Sequence, residues 1–161
     1  MPININLTNV VGDYLPLGGG TLTSHVTLLD NIKIKLGTGA DAEIYYDGTN
    51  LIVNPRAVGT GYARFLASSL GATPADVLAP WNDTDAAAGA QQYSPALRWH
   101  GEGWKTDATA ASQNVDWRAY VVPVQGAANP TANLVFDVSI NDAAFATKLT
   151  LSSAGKLTFT G

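Results

Sequence analysis

The sequence contains no cysteine, which excludes disulfide bonds, zinc–thiolate sites, iron–sulfur clusters and thiol nucleophiles. Charged residues are also scarce, at 14% of 161 residues, against roughly 25% in an average soluble domain. Lysine and arginine form no cluster, and Lys33 and Lys35 are their densest pair. Because a phosphate backbone or an anionic membrane is bound by several cations together, we expect neither nucleic acid nor a membrane surface as a partner.

Long apolar runs and helix-forming residues are missing as well. No apolar stretch approaches the roughly 20 residues of a membrane span, so we expect no membrane insertion. The first residues lack the basic and apolar regions of a signal peptide, which predicts synthesis in a cytoplasm without general secretion. Glu43 and Glu102 are the only two glutamates. The abundant Asp, Asn, Gly and Thr favour turns and strands over helices.

Alternation of apolar and polar side chains dominates the chain from Leu97 to its end. A period of two over several segments, separated by turns, predicts an all-β fold, an antiparallel β-sandwich or jelly roll. We expect the apolar sets to face inward. Several residues are predicted to lie on these apolar faces: Trp99, Trp117, Phe145, Leu149 and Leu151.

Shorter strands are predicted before this region. Residues 32–36 alternate, with isoleucine and leucine expected inside and lysine outside. Asp47 and Gly48 lie between two apolar runs, which predicts a hairpin because glycine accepts a positive φ. Residues 67–96 are expected to form a long loop, with one short helix possible near residues 86–92. We therefore assign residues 32–161 to one β-sandwich domain.

Residues 1–31 differ from the rest, because Pro16 and a glycine triplet interrupt many apolar residues. Exposed leucine and valine at this density require a partner surface, either the main domain or copies of the segment itself. Three copies around an axis would bury these side chains, and glycines would let the backbones approach closely. The candidate trimer interface comprises Leu15, Leu17, Gly18, Gly19, Gly20, Leu22, Val26 and Leu28.

Three polar clusters were considered as chemical sites, and each has a simpler interpretation. His100 and Glu102 share one side of a strand and could hold a metal or move a proton, but a turn between aromatic strands explains them. Residues 82–85 offer oxygen ligands to calcium, yet lack the EF-hand pattern. The carboxylates Asp41, Glu43 and Asp47 could serve glycoside hydrolysis, but no pattern places them across a cleft, and a turn explains Asp47. We therefore predict no catalytic residue, no metal and no cofactor.

Tryptophans provide the remaining candidate site. Trp81 and Trp104 have proline or glycine neighbours and are expected to lie in loops, where an aromatic ring can stack on a sugar. We take these two residues as candidates for receptor or glycan recognition.

Three segments resemble tail-fibre and other virion structural proteins of tailed bacteriophages. Residues 14–23 (Tyr-Leu-Pro-Leu-Gly-Gly-Gly-Thr-Leu-Thr) closely resemble a short element of tail-fibre proteins. Residues 35–51, which end in Tyr-Tyr-Asp-Gly-Thr-Asn-Leu, and residues 96–161, which contain Arg-Trp-His-Gly-Glu-Gly-Trp, are similar to segments of the same proteins. The resemblance implies a trimeric, β-rich virion component and supplies no catalytic residues. The chain is much shorter than most fibres, which also fits a head fibre, a capsid decoration protein or a fibre fragment.

The leading prediction is thus a non-enzymatic virion protein, a homotrimer for display and adhesion. Its expected partners are its own copies, other capsid or tail proteins and host surface glycans. One alternative is a capsid decoration protein that stabilises the head. The other is a carbohydrate-binding module or a small polysaccharide-active enzyme.

Overall fold

The computed structural model describes residues 27–67, 72, 74 and 76–161. Contacts divide the chain into two units, Met1–Arg64 and Phe65–Gly161. This division does not coincide with the boundary at residue 31 that the sequence suggested, since each unit contains its own sheet. The predicted intertwining segment lies outside the described residues, apart from its last five positions.

The first unit contains a three-stranded antiparallel sheet in the order β1-β2-β3, made of β1 (Ile34–Leu36), β2 (Ala42–Tyr46) and β3 (Leu51–Asn54). The hairpin predicted at Asp47 is confirmed. The Asp47 carboxylate accepts the backbone N–H groups of Thr49 and Asn50 at 2.8 and 2.6 Å, and Gly48 has a φ of 95°. Ile34 and Leu36 were expected to face inward, but both are exposed in the single chain.

The second unit contains five antiparallel strands whose order in the sheet follows their order in the chain. They are β4 (Leu97–Lys105), β5 (Ala111–Val124), β6 (Thr131–Ile140), β7 (Ala146–Ser152) and β8 (Leu157–Phe159). The predicted all-β, antiparallel fold is confirmed: the described residues form two such sheets and no helix. Where a short helix was expected near residues 86–92, Ala87 and Ala90 instead close a tight turn through two backbone hydrogen bonds.

Strand register divides the side chains of the β4–β8 sheet between two faces. Trp99 lies opposite Trp117 and Phe136 opposite Leu149, so the alternating apolar residues share one face, as predicted. We call this the apolar face. Its apolar positions are Leu97, Trp99, Val115, Trp117, Ala119, Val121, Leu134, Phe136, Val138, Ile140, Leu149, Leu151, Leu157 and Phe159, and Lys105 and Gln113 lie on the same side near the β4–β5 turn. The opposite side, which includes Arg98, His100, Asp116, Arg118, Tyr120, Val135, Asp137 and Ser139, is called the polar face.

Burial is the reverse of the expected pattern. The four buried residues among those described are Asp116, Val135, Asp137 and Ser139, and all of them lie on the polar face. Trp99 and Trp117, predicted to be core, are 55% and 42% exposed in the single chain. The prediction that they are core residues is therefore wrong for one copy, although their alternation was correct.

One extra residue in β7 explains a further difference. Phe136 pairs with Leu149, whereas Asp137 pairs with Thr147, so Lys148 has no partner in β6. Such a bulge moves every residue beyond it to the other side of the sheet. Thr147 therefore lies beside Asp137 on the polar face. Phe145, which was expected beside Leu149, also lies on the polar face, with its ring over Arg118.

Candidate functional site

The first half of the polar face is built around the carboxylate of Asp116, which is 1% exposed. Arg98 on the neighbouring strand donates two hydrogen bonds to it, from Nε and Nη2, both at 2.8 Å. The Nδ1 atom of His100 lies 2.8 Å from the same carboxylate. Cross-strand register brings these groups together. His100 lies directly opposite Asp116, and Arg98 precedes His100 by two residues on the same strand, so both side chains are on the same face.

These contacts shift both titrating groups toward their charged forms. The hydrogen bonds from Arg98 hold the pKa of Asp116 at about 2, although burial alone would raise it. The hydrogen bond to Asp116 raises the pKa of His100 above its ordinary value, and the carboxylate of Glu102, 3.5 Å from Nε2, acts in the same direction. The cluster is an ion-pair network whose charges balance one another.

The second half of the polar face is organised by Asp137, which is also buried. Its Oδ2 accepts hydrogen bonds from Nε and Nη2 of Arg118, at 3.0 and 2.8 Å, and from the Tyr120 hydroxyl at 3.0 Å. Its Oδ1 accepts the Thr147 hydroxyl at 2.9 Å. Burial by itself raises the pKa of Asp137, but the hydrogen bonds from Arg118, Thr147 and Tyr120 outweigh it and keep the pKa below its ordinary value.

Two aromatic rings cover this network. The Arg118 guanidinium lies 4.1 Å from the centre of the Phe145 ring and 5.1 Å from that of Tyr120. The Arg98 guanidinium lies near the same Phe145 ring, 5.7 Å from its centre. Cation–π contacts of this kind add to the stabilisation that the ion pairs provide. Among the described residues, no buried side-chain polar atom lacks a hydrogen-bond partner.

A second local irregularity places Tyr93 over the same face. The Ser94 hydroxyl accepts the backbone N–H of Val121 at 2.8 Å, and the Ser94 N–H donates to the Val121 carbonyl at 3.1 Å. Continued unchanged, the β4 register would instead place Pro95, which has no N–H, opposite Val121. The shift lets Tyr93 stack on Tyr120, with ring centres 6.1 Å apart.

A shallow pocket of about 250 Å3 lies at this point, lined by Tyr93, Ser94, Ala96, Arg118 and Tyr120. This volume is below the roughly 300–1,000 Å3 of pockets that hold drug-sized ligands. The charge of Arg118 is already matched by Asp137, and the Ser94 hydroxyl is used in backbone hydrogen bonds. The pocket therefore offers a ligand mainly its tyrosine rings.

The apolar face has the opposite character. Apart from Lys105 and Gln113 near the β4–β5 turn, its side chains offer no charge and no hydrogen-bonding group except the two indole N–H groups. Nine of its side chains are more than one-third exposed: Leu97, Trp99, Trp117, Val121, Leu134, Ile140, Leu151, Leu157 and Phe159. Monomeric proteins rarely expose a contiguous apolar patch of this size, and such patches mark interaction sites.

The residues predicted as sites do not come together. Leu28 is the one candidate trimer-interface residue within the described part of the chain, and it is exposed outside any strand. Leu15, Leu17, Gly18, Gly19, Gly20, Leu22 and Val26 lie outside the described residues. Trp81 is exposed in a loop, as expected. Trp104 is exposed too, but it lies within β4, so the prediction of a loop position is wrong.

The polar clusters considered for chemistry have structural partners. The Asn82 side chain donates to the Tyr93 carbonyl at 2.8 Å and accepts the Thr84 N–H at 3.1 Å, which forms a turn. Glu43 pairs with Lys33 at 2.7 Å. Over the described ranges, no three His, Cys, Asp or Glu residues are arranged to hold a metal ion.

Sequence reasoning missed the central residues of the polar face, Asp116, Arg118 and Asp137. Their signal was present, since Arg118 and Asp137 have opposite charges and lie directly opposite each other on adjacent strands. Pairing the predicted strands in chain order would have placed them side by side. Their burial was not foreseeable in this way, because polar residues of an alternating strand ordinarily face water.

No family model matches the chain, and neither a curated protein nor a solved structure shows significant similarity to it. Of the residues described, none belongs to a helix that could cross a membrane.

Proposed function

We propose that this protein is a non-enzymatic structural component of a tailed-bacteriophage virion, and that it works as a homotrimer in display and adhesion. The virion assignment rests on the resemblance of residues 14–23, 35–51 and 96–161 to tail-fibre and virion proteins. The structure contributes an argument for assembly, which is independent of that resemblance.

One observation supports assembly above all. Val135 is the one hydrophobic side chain that is buried among the described residues, while apolar side chains cover a whole face of the second sheet in water. Burial of apolar surface is the dominant favourable contribution to folding, at roughly 25 cal/mol per Å2. A chain that leaves this much apolar surface exposed gains the missing burial by association.

Measurement of the mass in solution tests the proposal. Size-exclusion chromatography with multi-angle light scattering is expected to give three times the chain mass of 16.8 kDa, unchanged on dilution to low micromolar concentrations. A monomer over the whole concentration range would overturn the assembly proposal.

The virion assignment needs its own experiment. Antibodies raised against the purified chain, coupled to gold, are expected to label particles of the phage that encodes it. Labelling at the tail tip supports adhesion, and labelling over the head assigns the chain to capsid decoration instead. Particles that carry no label, with the chain found only in the lysate, would refute a place in the virion.

A further inference from the structure

We infer that the apolar face of the β4–β8 sheet is the surface through which copies of this chain associate. The inference deepens the assembly proposed above, on which it rests, and assigns the interface to a sheet in the second unit. The sequence had suggested the segment before residue 31 for this role.

The chemistry of the face fits a second copy of the same chain. A surface that meets copies of itself brings identical groups near one another, so charges on it repel. The fourteen apolar positions are uncharged, and the one charge on that side of the described sheet is Lys105 at the end of β4, whereas the polar face carries Arg98, His100, Asp116, Arg118 and Asp137. Because the Lys105 ammonium pairs with Asp107 at 3.0 Å, association centred on the apolar positions brings no unpaired like charges together.

The size of the face also fits a stable complex. Its nine partly exposed side chains, with fully exposed aromatics taken as about 150–250 Å2, leave on the order of 900 Å2 of surface in water per copy. Stable interfaces bury about 800 Å2 per partner. The single apolar face is therefore large enough to hold copies together without further contacts.

The aromatic residues form the expected anchor. Trp99 and Trp117 lie directly opposite one another on β4 and β5, and each leaves more than two-fifths of its surface exposed. Tryptophan is among the residues that contribute most to association when an interface covers them. On the polar face, by contrast, Phe145 lies over Arg118 and Tyr93 over Tyr120, although Trp104 on the same side is exposed.

Strand β8 offers a matched set of variants. Leu157 and Phe159 point to the apolar face and Thr158 to the other side, and all three are exposed in a single copy. Lysine at these positions therefore affects the folding of one copy little. The double variant Leu157→Lys/Phe159→Lys is expected to weaken association by roughly a hundredfold or more, because it buries unpaired charges. Thr158→Lys is expected to leave the mass unchanged.

A chemical readout covers the case in which a lysine variant misfolds. Since the chain has no cysteine, Leu157→Cys and Thr158→Cys each introduce a single thiol. In the full-length assembled protein, a maleimide is expected to label Leu157→Cys at least roughly tenfold more slowly than Thr158→Cys, with equal rates after unfolding in urea.

The outcomes separate this inference from the proposed trimer. A dimer that the double lysine variant dissociates supports the inference and overturns the trimer. A trimer that keeps its mass with both lysines, and in which both thiols react equally, overturns the inference and leaves the trimer. Protection of Leu157→Cys in a monomer would also overturn the inference, because a segment of the same chain would then cover the face.

Discussion

The two faces of the β4–β8 sheet are built from the same strands, yet they are completed by different means. On the polar face, each buried carboxylate is matched by an arginine of an adjacent strand, and aromatic rings lie over the arginines. On the apolar face, side chains such as Phe159, which is 75% exposed, contact water in a single copy. The buried carboxylates of the polar face have their partners within one chain, whereas we infer that a second copy covers the apolar face.

Local shifts of register account for much of this difference. The unpaired Lys148 moves Thr147 and Phe145 to the polar face, and the Ser94 contact with Val121 brings Tyr93 there. Bulges re-aim side chains in this way without changing the strand order. Without these shifts, regular alternation along β7 would have added Phe145 to the apolar face and left Arg118 with only the Tyr120 ring.

Deletion of Lys148 is expected to have the largest effect on this contrast. Removing the extra residue returns Phe145 and Thr147 to the apolar side, so Asp137 loses a hydrogen bond and Arg118 loses the nearer of its two rings. The free energy of unfolding should fall by about 3–4 kcal/mol in urea titrations at fixed protein concentration. Lys148→Ala keeps the bulge and should change stability by less than about 0.5 kcal/mol. Equal effects of the two variants would contradict the role of the bulge.

Asp137→Ala tests the ion pairs themselves. It leaves Arg118 without its carboxylate, which costs about 3–5 kcal/mol when both partners are buried. Because a third of the Arg118 side chain is exposed, the expected loss is smaller, about 2–3 kcal/mol. The exposed Asp83→Ala serves as the control, with a change below about 0.5 kcal/mol. The mass in solution should stay that of the unaltered protein, and dissociation would show that the two faces are not independent.

Ser94→Ala is expected to have a moderate effect. It removes the hydroxyl that accepts the Val121 N–H, so about 1 kcal/mol of stability should be lost. Its effect should be confined to this end of the polar face, where NMR is expected to show shifted Tyr93 and Tyr120 ring signals. Ser112→Ala, which removes only an exposed hydrogen bond to Glu102, should leave these signals in place.

The smallest effect is expected from pH, because the His100 side chain is half exposed. Its pKa is raised in the folded protein, so its contribution is fully present below the ordinary value of about 6.5 and is lost as the pH rises through the raised pKa. The contribution of Asp116 is present above about pH 4 and is lost as the pH falls toward 2. Thermal unfolding from pH 2 to 9 should show both changes.

His100→Asn separates the loss of stability at higher pH from the loss in acid. The asparagine keeps a hydrogen-bond donor but has no titrating charge. The variant should lose the decline in Tm near neutral pH and keep the acid branch, whereas His25→Asn, at the other histidine, is the control. A decline that persists in His100→Asn would assign it to a different group.

Sequence alone predicted the strands and their alternation well. Trp117, Val121, Leu134 and Phe136 share a face as their period of two required, and the turn at Asp47 has the expected geometry. These features depend on local chemistry, which a single sequence contains. The strand order follows from short connections for the same reason.

The direction of burial could not be predicted in this way. Alternation assigns residues to two faces but does not say which face meets water. The usual rule that apolar side chains are buried and charged ones exposed gave the wrong answer for Trp99 and Asp116. The register shift at Lys148 could not be predicted either, because one extra residue in a strand does not change the composition in a recognisable way. The candidate site depends on the pairing of strands, because this pairing places Arg118 opposite Asp137 and His100 opposite Asp116.

Chain-order connectivity has a consequence for how the protein reaches its final state. Each strand from β4 to β8 meets a neighbour in sequence, so the hairpins close by local steps, which are fast. Encounter between molecules is slower and depends on concentration. For the proposed assembly, refolding should therefore end in a concentration-dependent association phase, and before it the exposed apolar face makes the chain most prone to aggregation.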